Sequence, residues 1–272
     1  MSFTLNSTAK LNNGIQIPRL GLGVYQIPPG KSTVKAVKYA LKIGYKHFDT
    51  AMIYGNEADV GKALKESDDI KREDIFITTK VWNSDQGYDS TIKACESSLK
   101  RLDLSYVDLY LIHWPVQEKI IETWKAMIKL LDSEKVKAIG VSNYSIEELK
   151  ETLDGSDIVP AINQVEFHPY LYQKDLLQFC KSNMIQLEAY SPLTRGQRLD
   201  DPTIVQIAKE YGKTTAQILV RWSLQHDLVV IPKSSHEKRI LENSQVFDFH
   251  INQKDMQALD SLNEGLRTVF LD

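Results

Sequence analysis

The feature that most constrains the fold of this sequence is an alternation of short apolar runs with amphipathic helical segments. The helical period is clear, for example, where Ile120, Trp124 and Met127 fall on one face. Eight apolar runs are predicted to be strands: residues 20–23, 46–49, 75–80, 107–113, 138–142, 162–166, 186–190 and 229–232. The run at 107–112 is almost continuously apolar, which is typical of a parallel strand covered on both faces.

This alternation predicts an α/β protein whose eight strand–helix units close into a (β/α)₈ TIM barrel. No Pro-rich linker or low-complexity segment divides the chain, and barrels of about 250 residues commonly form one domain. Residues 1–272 are therefore expected to form a single barrel domain. Gly21 and Gly23 form the best candidate for a dinucleotide-binding turn, but Gln26 stands where the Rossmann fingerprint requires its third glycine. A Rossmann fold is disfavoured.

An N-terminal β-hairpin and two extra helices are predicted outside the eightfold repeat. The hairpin comprises residues 4–11, a turn at Asn12-Asn13-Gly14 and residues 15–17, because Asn-Gly favours a tight turn. One extra helix is expected in the stretch 199–211, which precedes another helical run at 215–224. The second is expected at 254–262.

Composition argues against several classes of function. The formal net charge is −3, and Lys and Arg are scattered among acidic residues, so no basic stripe is available to follow nucleic acid. The N-terminus lacks a signal-peptide pattern, and no apolar run approaches the roughly 18 residues of a membrane span. Cys95, Cys180 and the six histidines form no metal-spaced cluster. We expect a cytoplasmic monomer without a metal, a membrane span or a nucleic acid partner.

Polar residues close three neighbouring predicted strands. Asp49, Lys80 and His113 each end an apolar run, and Tyr54 follows Asp49 on the next loop. Each residue taken singly has an ordinary structural role, such as a helix cap, a solvated strand end or a core histidine. Because the carboxyl ends of barrel strands meet at one mouth, the four together predict an active site there.

These residue types suggest a proton-transfer mechanism. A phenol has a reference pKa near 10, and a lysine cation about 4 Å away is expected to lower that pKa toward neutrality. Asp49 would keep Lys80 charged. Tyr54 could then give a proton to a carbonyl oxygen that His113 orients.

The segment His47-Phe48-Asp49-Thr50-Ala51-Met52-Ile53-Tyr54-Gly55-Asn56-Glu57 resembles the first signature of the aldo-keto reductase family. Further blocks match in the family's order: Lys80, His113-Trp114-Pro115, Gly140-Val141-Ser142-Asn143, Asn163-Gln164-Val165-Glu166-Phe167-His168-Pro169 and Ile231-Pro232-Lys233-Ser234. The similarity covers nearly the whole chain and resembles in particular the small prokaryotic-type NADPH-dependent aldehyde and diketogluconate reductases. It implies reduction of small aldehydes and ketones by a catalytic tetrad of Asp49, Tyr54, Lys80 and His113.

The resemblance also implies where NADPH would bind. Ser142, Asn143 and Gln164 would hold the nicotinamide carboxamide, and Tyr190 would stack on the ring, with Ser191 and Leu193 as further contacts. The 2′-phosphate of the adenosine would meet Lys233, Ser234 and Arg239, and the adenine would meet Glu242 and Asn243. Substrate contacts are expected from Tyr25, Trp82 and Trp114. The chain ends soon after its last predicted helix, so the substrate pocket is expected to be open and promiscuous.

Two other functions stay open at this stage. A Schiff-base lyase could use Lys80 to attack a carbonyl, although this leaves Lys233 and Arg239 without a purpose. A catalytically silent binding or structural protein on the same barrel is the non-enzymatic alternative, and an intact tetrad weighs against it.

Overall fold

The computed structural model describes residues 4–67 and 70–270, and it confirms the predicted barrel. Eight strands form one sheet in chain order, and all neighbouring pairs within it are parallel. The strands are β3 (Leu22–Gly23), β4 (His47–Asp49), β5 (Phe76–Val81), β6 (Val107–Ile112), β7 (Val136–Ser142), β8 (Ile162–Glu166), β9 (Gln186–Tyr190) and β10 (Val229–Val230). The expected domain also included residues 1–3, 68, 69, 271 and 272, which lie outside the described residues.

The sheet closes at a seam between the segments around β3 and β10. The amide of Gly21 donates to the carbonyl of Val230, and the amide of Val230 donates to the carbonyl of Arg19, both at 2.9 Å. An isolated bridge joins Gly23 to Lys233. Both strands are only two residues long, shorter than predicted, because pairing across the seam is interrupted.

Gly21, which belongs to the turn that was rejected as a nucleotide-binding motif, is a glycine because neighbouring atoms at the seam lie very close to it. A Cβ atom on Gly21 would lie 2.6 Å from His47 Nδ1 and 3.0 Å from an Ile231 methyl carbon. Such distances leave no room for a side chain, so the position needs glycine for packing.

Ten α-helices cover the described barrel, including the two predicted extras. They are α1 (Lys31–Lys42), α2 (Glu57–Lys65), α3 (Tyr88–Leu102), α4 (Ile120–Asp132), α5 (Ile146–Asp154), α6 (Lys174–Ser182), α7 (Pro202–Tyr211), α8 (Thr215–Gln225), α9 (Glu237–Ser244) and α10 (Gln253–Asp260). The additions to the eightfold repeat are α7 and α10. In α4, Ile120, Trp124 and Met127 are buried, as the helical period predicted. In the described part of the chain, no helix has the length and apolar character needed to cross a membrane.

The N-terminal hairpin forms a small separate sheet. Its strands, β1 (Thr8–Lys10) and β2 (Gln16–Pro18), pair antiparallel. The first strand is shorter than predicted because residues 4–7 form a turn, in which the Ser7 amide donates to the Thr4 carbonyl. Ala9 and Ile17 pack with inward residues of the barrel strands, such as Leu109, in one apolar cluster. The hairpin is therefore part of the barrel packing.

Candidate active site

A cavity of about 780 Å³ lies at the carboxyl ends of the barrel strands, where the polar strand-end residues meet. Asp49 ends β4, Lys80 is the penultimate residue of β5, and His113 directly follows β6. Asp49, Tyr54 and His113 line the cavity, and Lys80 contacts Asp49 and Tyr54. The structure thus brings together the four residues proposed to act as a tetrad.

The ammonium group of Lys80 is fully buried and has three hydrogen-bond acceptors. Its Nζ lies 2.7 Å from Asp49 Oδ1, 3.0 Å from the carbonyl oxygen of Thr50 and 3.3 Å from the Tyr54 hydroxyl. A buried cation is costly unless an opposite charge and hydrogen bonds compensate for its lost hydration. Asp49 provides the opposite charge, so Lys80 can stay ionised beside the phenol.

Gln164 connects Asp49 to a second buried carboxyl group, Glu188 on β9, which the sequence did not single out. The Gln164 Nε2 donates to Asp49 Oδ2 at 2.8 Å and to Glu188 Oε2 at 2.9 Å. Burial, together with the charge of Asp49, raises the pKa of Glu188 to about 8. The raised pKa favours the neutral acid form of Glu188, and Asp49 is the carboxyl group that contacts Lys80.

Tyr54 reaches the cavity from a short 3₁₀ turn, Met52–Tyr54, which ends at Gly55 in the left-handed conformation with φ of 68°. Its hydroxyl accepts from Lys80 and lies 3.4 Å from His113 Nε2. Burial raises the pKa of Tyr54 well above its ordinary value, and the nearby Asp49 raises it further. The sequence-based expectation of a lowered pKa is wrong for this structure, because desolvation and the nearby anion outweigh the effect of Lys80.

His113 is a neutral imidazole at physiological pH. Burial, and then the charge of Lys80, lower its pKa well below the ordinary value. The ring packs edge-on against Trp82, with the ring centroids 5.1 Å apart. A neutral ring next to the Tyr54 hydroxyl can orient a polar substrate atom without adding a second cation to the site.

Asn56 and Glu57, which follow Tyr54 in its sequence block, fix the loop that carries Tyr54. The side-chain amide of Asn56 donates to the carbonyls of Val24 and Ile27, which ties the Tyr54 loop to the segment after β3. The buried carboxylate of Glu57 accepts from the hydroxyl of Thr79 and from Arg101 Nε, each at 2.6 Å. These residues therefore act through the backbone that positions Tyr54.

The residues expected around a nicotinamide form a second polar group on β7, β8 and β9. The Ser142 hydroxyl donates to the Gln164 carbonyl at 2.8 Å, and the Tyr190 hydroxyl donates to Asn143 Oδ1 at 2.7 Å. The Asn143 Nδ2 donates to the His113 carbonyl at 3.0 Å, which links this group to the tetrad. These bonds connect Ser142, Asn143, Gln164 and Tyr190. Ser191 and Leu193, which were also expected near the nicotinamide, line the cavity.

Positive charge collects in another part of the cavity. Lys233 follows the seam, and Arg239 lies on α9. Burial, and then the charges of Arg239 and Arg195, lower the pKa of Lys233, and all three cations line the cavity. Within the described ranges neither Lys233 nor Arg239 forms an ion pair, so the site is suited to an anion. Ser234, Glu242 and Asn243 line the same cavity.

The cavity wall is aromatic and apolar near the tetrad. Tyr25, Trp82 and Trp114, which the sequence predicted as substrate contacts, line it. The sequence had not indicated four further apolar lining residues: Ile53, Leu199, Val269 and Phe270. Phe270 is 70% exposed. Residues 271 and 272 lie outside the described residues, and the expectation of an open, promiscuous substrate pocket stays a prediction.

The C-terminal strap, which we define as residues 263–270, is tied to the barrel by the carboxylate of Glu166. Glu166 Oε1 accepts from the amide and the hydroxyl of Thr268, and Oε2 accepts from the amide of Val269 at 3.2 Å. His168 Nε2 lies 3.1 Å from the same carboxylate. Burial alone would raise the pKa of Glu166, but the hydrogen bonds from His168 and Thr268 lower it overall. The strap thus places Val269 in the cavity wall.

Comparison with known proteins decides the family. The model of the Aldo/keto reductase family matches residues 19–264. A glyoxal reductase of Bacillus subtilis (strain 168) is 51% identical over 267 residues, which cover 98% of this chain and 96% of that protein. The chain belongs to the aldo/keto reductase family. The sequence blocks predicted an oxidoreductase of this family, and the comparison confirms that prediction.

Two solved structures have the same architecture as this chain, and the first of them is named an aldo-keto reductase. An enzyme from a Medee basin deep-sea metagenome library superposes with a TM-score of 0.93 at 46% identity, with 97% of each chain covered. A point mutant of Gox0644, solved in complex with NADPH, gives a TM-score of 0.91 at 42% identity over 95% of this chain and 94% of that one.

In this aldo/keto reductase the residues that the sequence missed share a physical cause. Glu188 lies inside an apolar run, where an isolated carboxyl group could only have been flagged as a buried charge needing a partner. Arg195 lies on the loop after β9 and donates to the carbonyl of Thr268 and to Gln26 Oε1, contacts between distant parts of the chain. No local pattern predicts such contacts.

Proposed function

We propose that this aldo/keto reductase reduces small aldehydes and ketones to alcohols with NADPH, and that Tyr54 is the general acid. The observation that supports this most directly is the Tyr54 hydroxyl at the cavity surface, which accepts a hydrogen bond from the buried Lys80 cation. Because the phenol oxygen accepts from Lys80, its own hydrogen is available to a substrate oxygen. A raised pKa keeps that hydrogen in place at neutral pH.

The chain offers suitable groups for NADPH. Lys233 and Arg239, which have no counter-ion among the described residues, suit a phosphate, and Arg239 can bind it in a bidentate manner. Gln164 Oε1 has no hydrogen-bond partner in the described part of the chain, so it can accept from a carboxamide amino group. Ser142, Asn143, Tyr190, Ser191, Leu193, Ser234, Glu242 and Asn243 are proposed as the remaining contacts. When bound, NADPH supplies the hydride.

The protein's own groups handle the proton and the developing charge. Tyr54 donates its proton to the carbonyl oxygen of the substrate, and the Lys80 hydrogen bond stabilises the phenolate that develops. Asp49 pairs with Lys80 at 2.7 Å and compensates for the burial of its ammonium group. The neutral imidazole of His113 lies close enough to Tyr54 to orient the same oxygen atom.

Small carbonyl compounds are the proposed substrate class. Tyr25, Trp82 and Trp114 provide flat apolar surfaces, and the exposed Phe270 leaves the mouth accessible. The 51% identical relative is named a glyoxal reductase, so dicarbonyls are the first compounds to test. We further propose that the whole chain acts as one domain, as a cytoplasmic monomer, without a nucleic acid partner.

The two alternatives from the sequence have less support. A Schiff-base lyase needs an uncharged, accessible lysine, whereas Lys80 is fully buried and bonded to Asp49, Thr50 and Tyr54. A silent binding protein would have no need for the complete tetrad.

Oxidation of NADPH by a panel of aldehydes, ketones and dicarbonyls tests the proposal. We expect aldehyde-dependent loss of NADPH absorbance with the alcohol as the product. Tight NADPH binding without turnover of any carbonyl would favour the silent protein. Trapping of a substrate on Lys80 by borohydride would favour the lyase.

A further inference from the structure

Glu188 lies beneath the proposed tetrad and has no role in the mechanism described above. Its side chain is fully buried on β9, yet its Oε1 has no hydrogen-bond partner among the residues that the structure describes. His47 Nε2 lies 3.6 Å from that atom, beyond hydrogen-bond length. A buried carboxyl group so weakly satisfied on one oxygen is costly, so its retention calls for an explanation.

The other oxygen of Glu188 has a well-formed bond, to Gln164 Nε2 at 2.9 Å. The second hydrogen of the same amino group meets Asp49 Oδ2 at 2.8 Å. Both acceptors are carboxyl oxygens, so the amide nitrogen of Gln164 must point toward them. Its oxygen must then point away from both.

Two acceptors on different strands fix the plane of the amide. Asp49 alone would hold Gln164 by one bond, about which the amide could turn. Asp49 is also committed to Lys80 through its other oxygen. Glu188 supplies the second anchor from β9, and Gln164 itself lines the cavity.

We propose that Glu188 is a positioning residue, which orients Gln164 so that its Oε1 accepts a hydrogen bond from the carboxamide amino group of the nicotinamide cofactor. This inference rests on the proposed function and deepens it. Glu188 acts as a neutral carboxylic acid, since burial and the neighbouring Asp49 raise its pKa to about 8. It therefore accepts from Gln164 without adding a second negative charge beside Tyr54. The other titratable groups around it are His47, on β4, and Lys80, on β5.

The test compares two cofactors whose only difference is the group that Gln164 would recognise. NADP⁺ has a carboxamide, which can donate, whereas its 3-acetylpyridine analogue has an acetyl group, which cannot. Dissociation constants for both are measured by quenching of tryptophan fluorescence. One neutral hydrogen bond corresponds to a preference of about three- to tenfold for NADP⁺, which we expect in the wild-type protein.

Two substitutions of similar size separate positioning from general destabilisation. Glu188→Met removes the acceptor, and we expect the preference for NADP⁺ to fall below about twofold. Glu188→Gln keeps an acceptor oxygen for Gln164, and we expect it to retain the wild-type preference. Gln164→Met is the reference in which the preference must vanish. Because the preference is a ratio within one protein, it does not depend on the fraction of folded molecules, and Glu188→Leu replaces Glu188→Met if the latter fails to fold.

The outcomes are distinguishable. If Glu188→Met keeps the full preference of the wild type, the positioning role is wrong although the proposed function stands. An equal affinity of the wild type for both cofactors also overturns the inference. If the wild-type protein binds neither cofactor, the proposed function itself fails.

Discussion

Tyr54 lies where a buried cation and a buried anion act on it in opposite directions. Lys80 donates to its oxygen, whereas Asp49 and burial raise its pKa. The phenol is therefore protonated at rest, and the cation becomes important only when negative charge develops on the oxygen. Under the proposed mechanism, this arrangement would stabilise the transition state more than the ground state, which is the requirement for catalysis.

Replacement of Tyr54 should separate chemistry from cofactor binding. In Tyr54→Phe we expect aldehyde reduction to fall by about 10²–10⁴-fold, because a positioned general acid is lost. The affinity for NADPH should stay nearly unchanged, since the Tyr54 hydroxyl is proposed to act on the substrate oxygen and other side chains are proposed to hold the cofactor. Single-turnover kinetics and a fluorescence titration measure the two effects. Tyr88→Phe, at an exposed position on α3, is the control, and near-normal turnover in Tyr54→Phe would remove Tyr54 from the mechanism.

The two cations on the far side of the seam should set the preference for NADPH over NADH. In Arg239→Ala the NADPH affinity should fall about tenfold or more, since charge-assisted hydrogen bonds to phosphate contribute roughly 1.5–3 kcal/mol. The NADH affinity should change little. Lys238→Ala is a matched control, because Lys238 is the neighbouring exposed cation and does not line the main cavity. An equal loss in both variants would point to general electrostatic attraction instead of a specific contact.

At the level of elements, the cavity wall depends on how strands and strap are tied together. The strap is an irregular segment, and the hydrogen bonds of Thr268 and Val269 to Glu166 hold its C-terminal end. Arg195, from the loop after β9, donates to the Thr268 carbonyl at 3.0 Å and adds a second tie. Loops held by few contacts open more easily than the strands below them.

Loosening the strap should affect substrate binding more than the chemical step. In Thr268→Val the hydroxyl donor to Glu166 is lost, and we expect a rise of several-fold in KM with kcat changed less. The free energy of unfolding should fall by about 1 kcal/mol, typical of one hydrogen bond. Steady-state kinetics and urea unfolding measure these effects. Thr203→Val, on the extra helix α7, is a comparison away from the cavity, and an unchanged KM in Thr268→Val would contradict a role for the strap.

The strands could be predicted from the sequence, whereas the contacts of the strap could not. Strands β4 to β9 and the tetrad were predictable because apolar runs end in polar residues, and barrel geometry brings those ends together. The tie between Glu166 and Thr268 was not, since 102 residues separate the partners and the strap has no periodic pattern. The pKa of Tyr54 was predicted in the wrong direction, because the sequence shows the nearby charges but not the extent of burial.

For the molecule as a whole, closure of the barrel depends on a tight seam. Gly21 lies against His47 with no space for a Cβ atom, and its amide donates to Val230. The chain joins its earliest barrel segment to its last at this point. A substitution here should therefore be felt in the cooperative unfolding of the barrel.

Gly21→Ala should destabilise the protein by about 1–3 kcal/mol, the usual cost of forcing an added methyl group into a packed interior. Gly155→Ala is the control, because the added Cβ there mainly meets the end of the flexible Ile121 side chain. Urea unfolding followed by circular dichroism measures both variants. Equal stability of the two would mean that the seam relaxes at little cost.

A bound dinucleotide should make the barrel harder to open at the seam. Gly23 and Tyr25 border the cavity from one side of the join, and Lys233 and Ser234 border it from the other. A ligand that touches both sides would link them. Opening the barrel at the seam would then require breaking the ligand's contacts as well as the backbone hydrogen bonds. We expect NADPH to slow hydrogen exchange most at the amides of Gly21, Gly23 and Val230, although Gly21 and Val230 do not line the cavity. Uniform protection of all barrel strands would mean that the cofactor stabilises the whole molecule equally and that the join is no weaker than the rest of the ring.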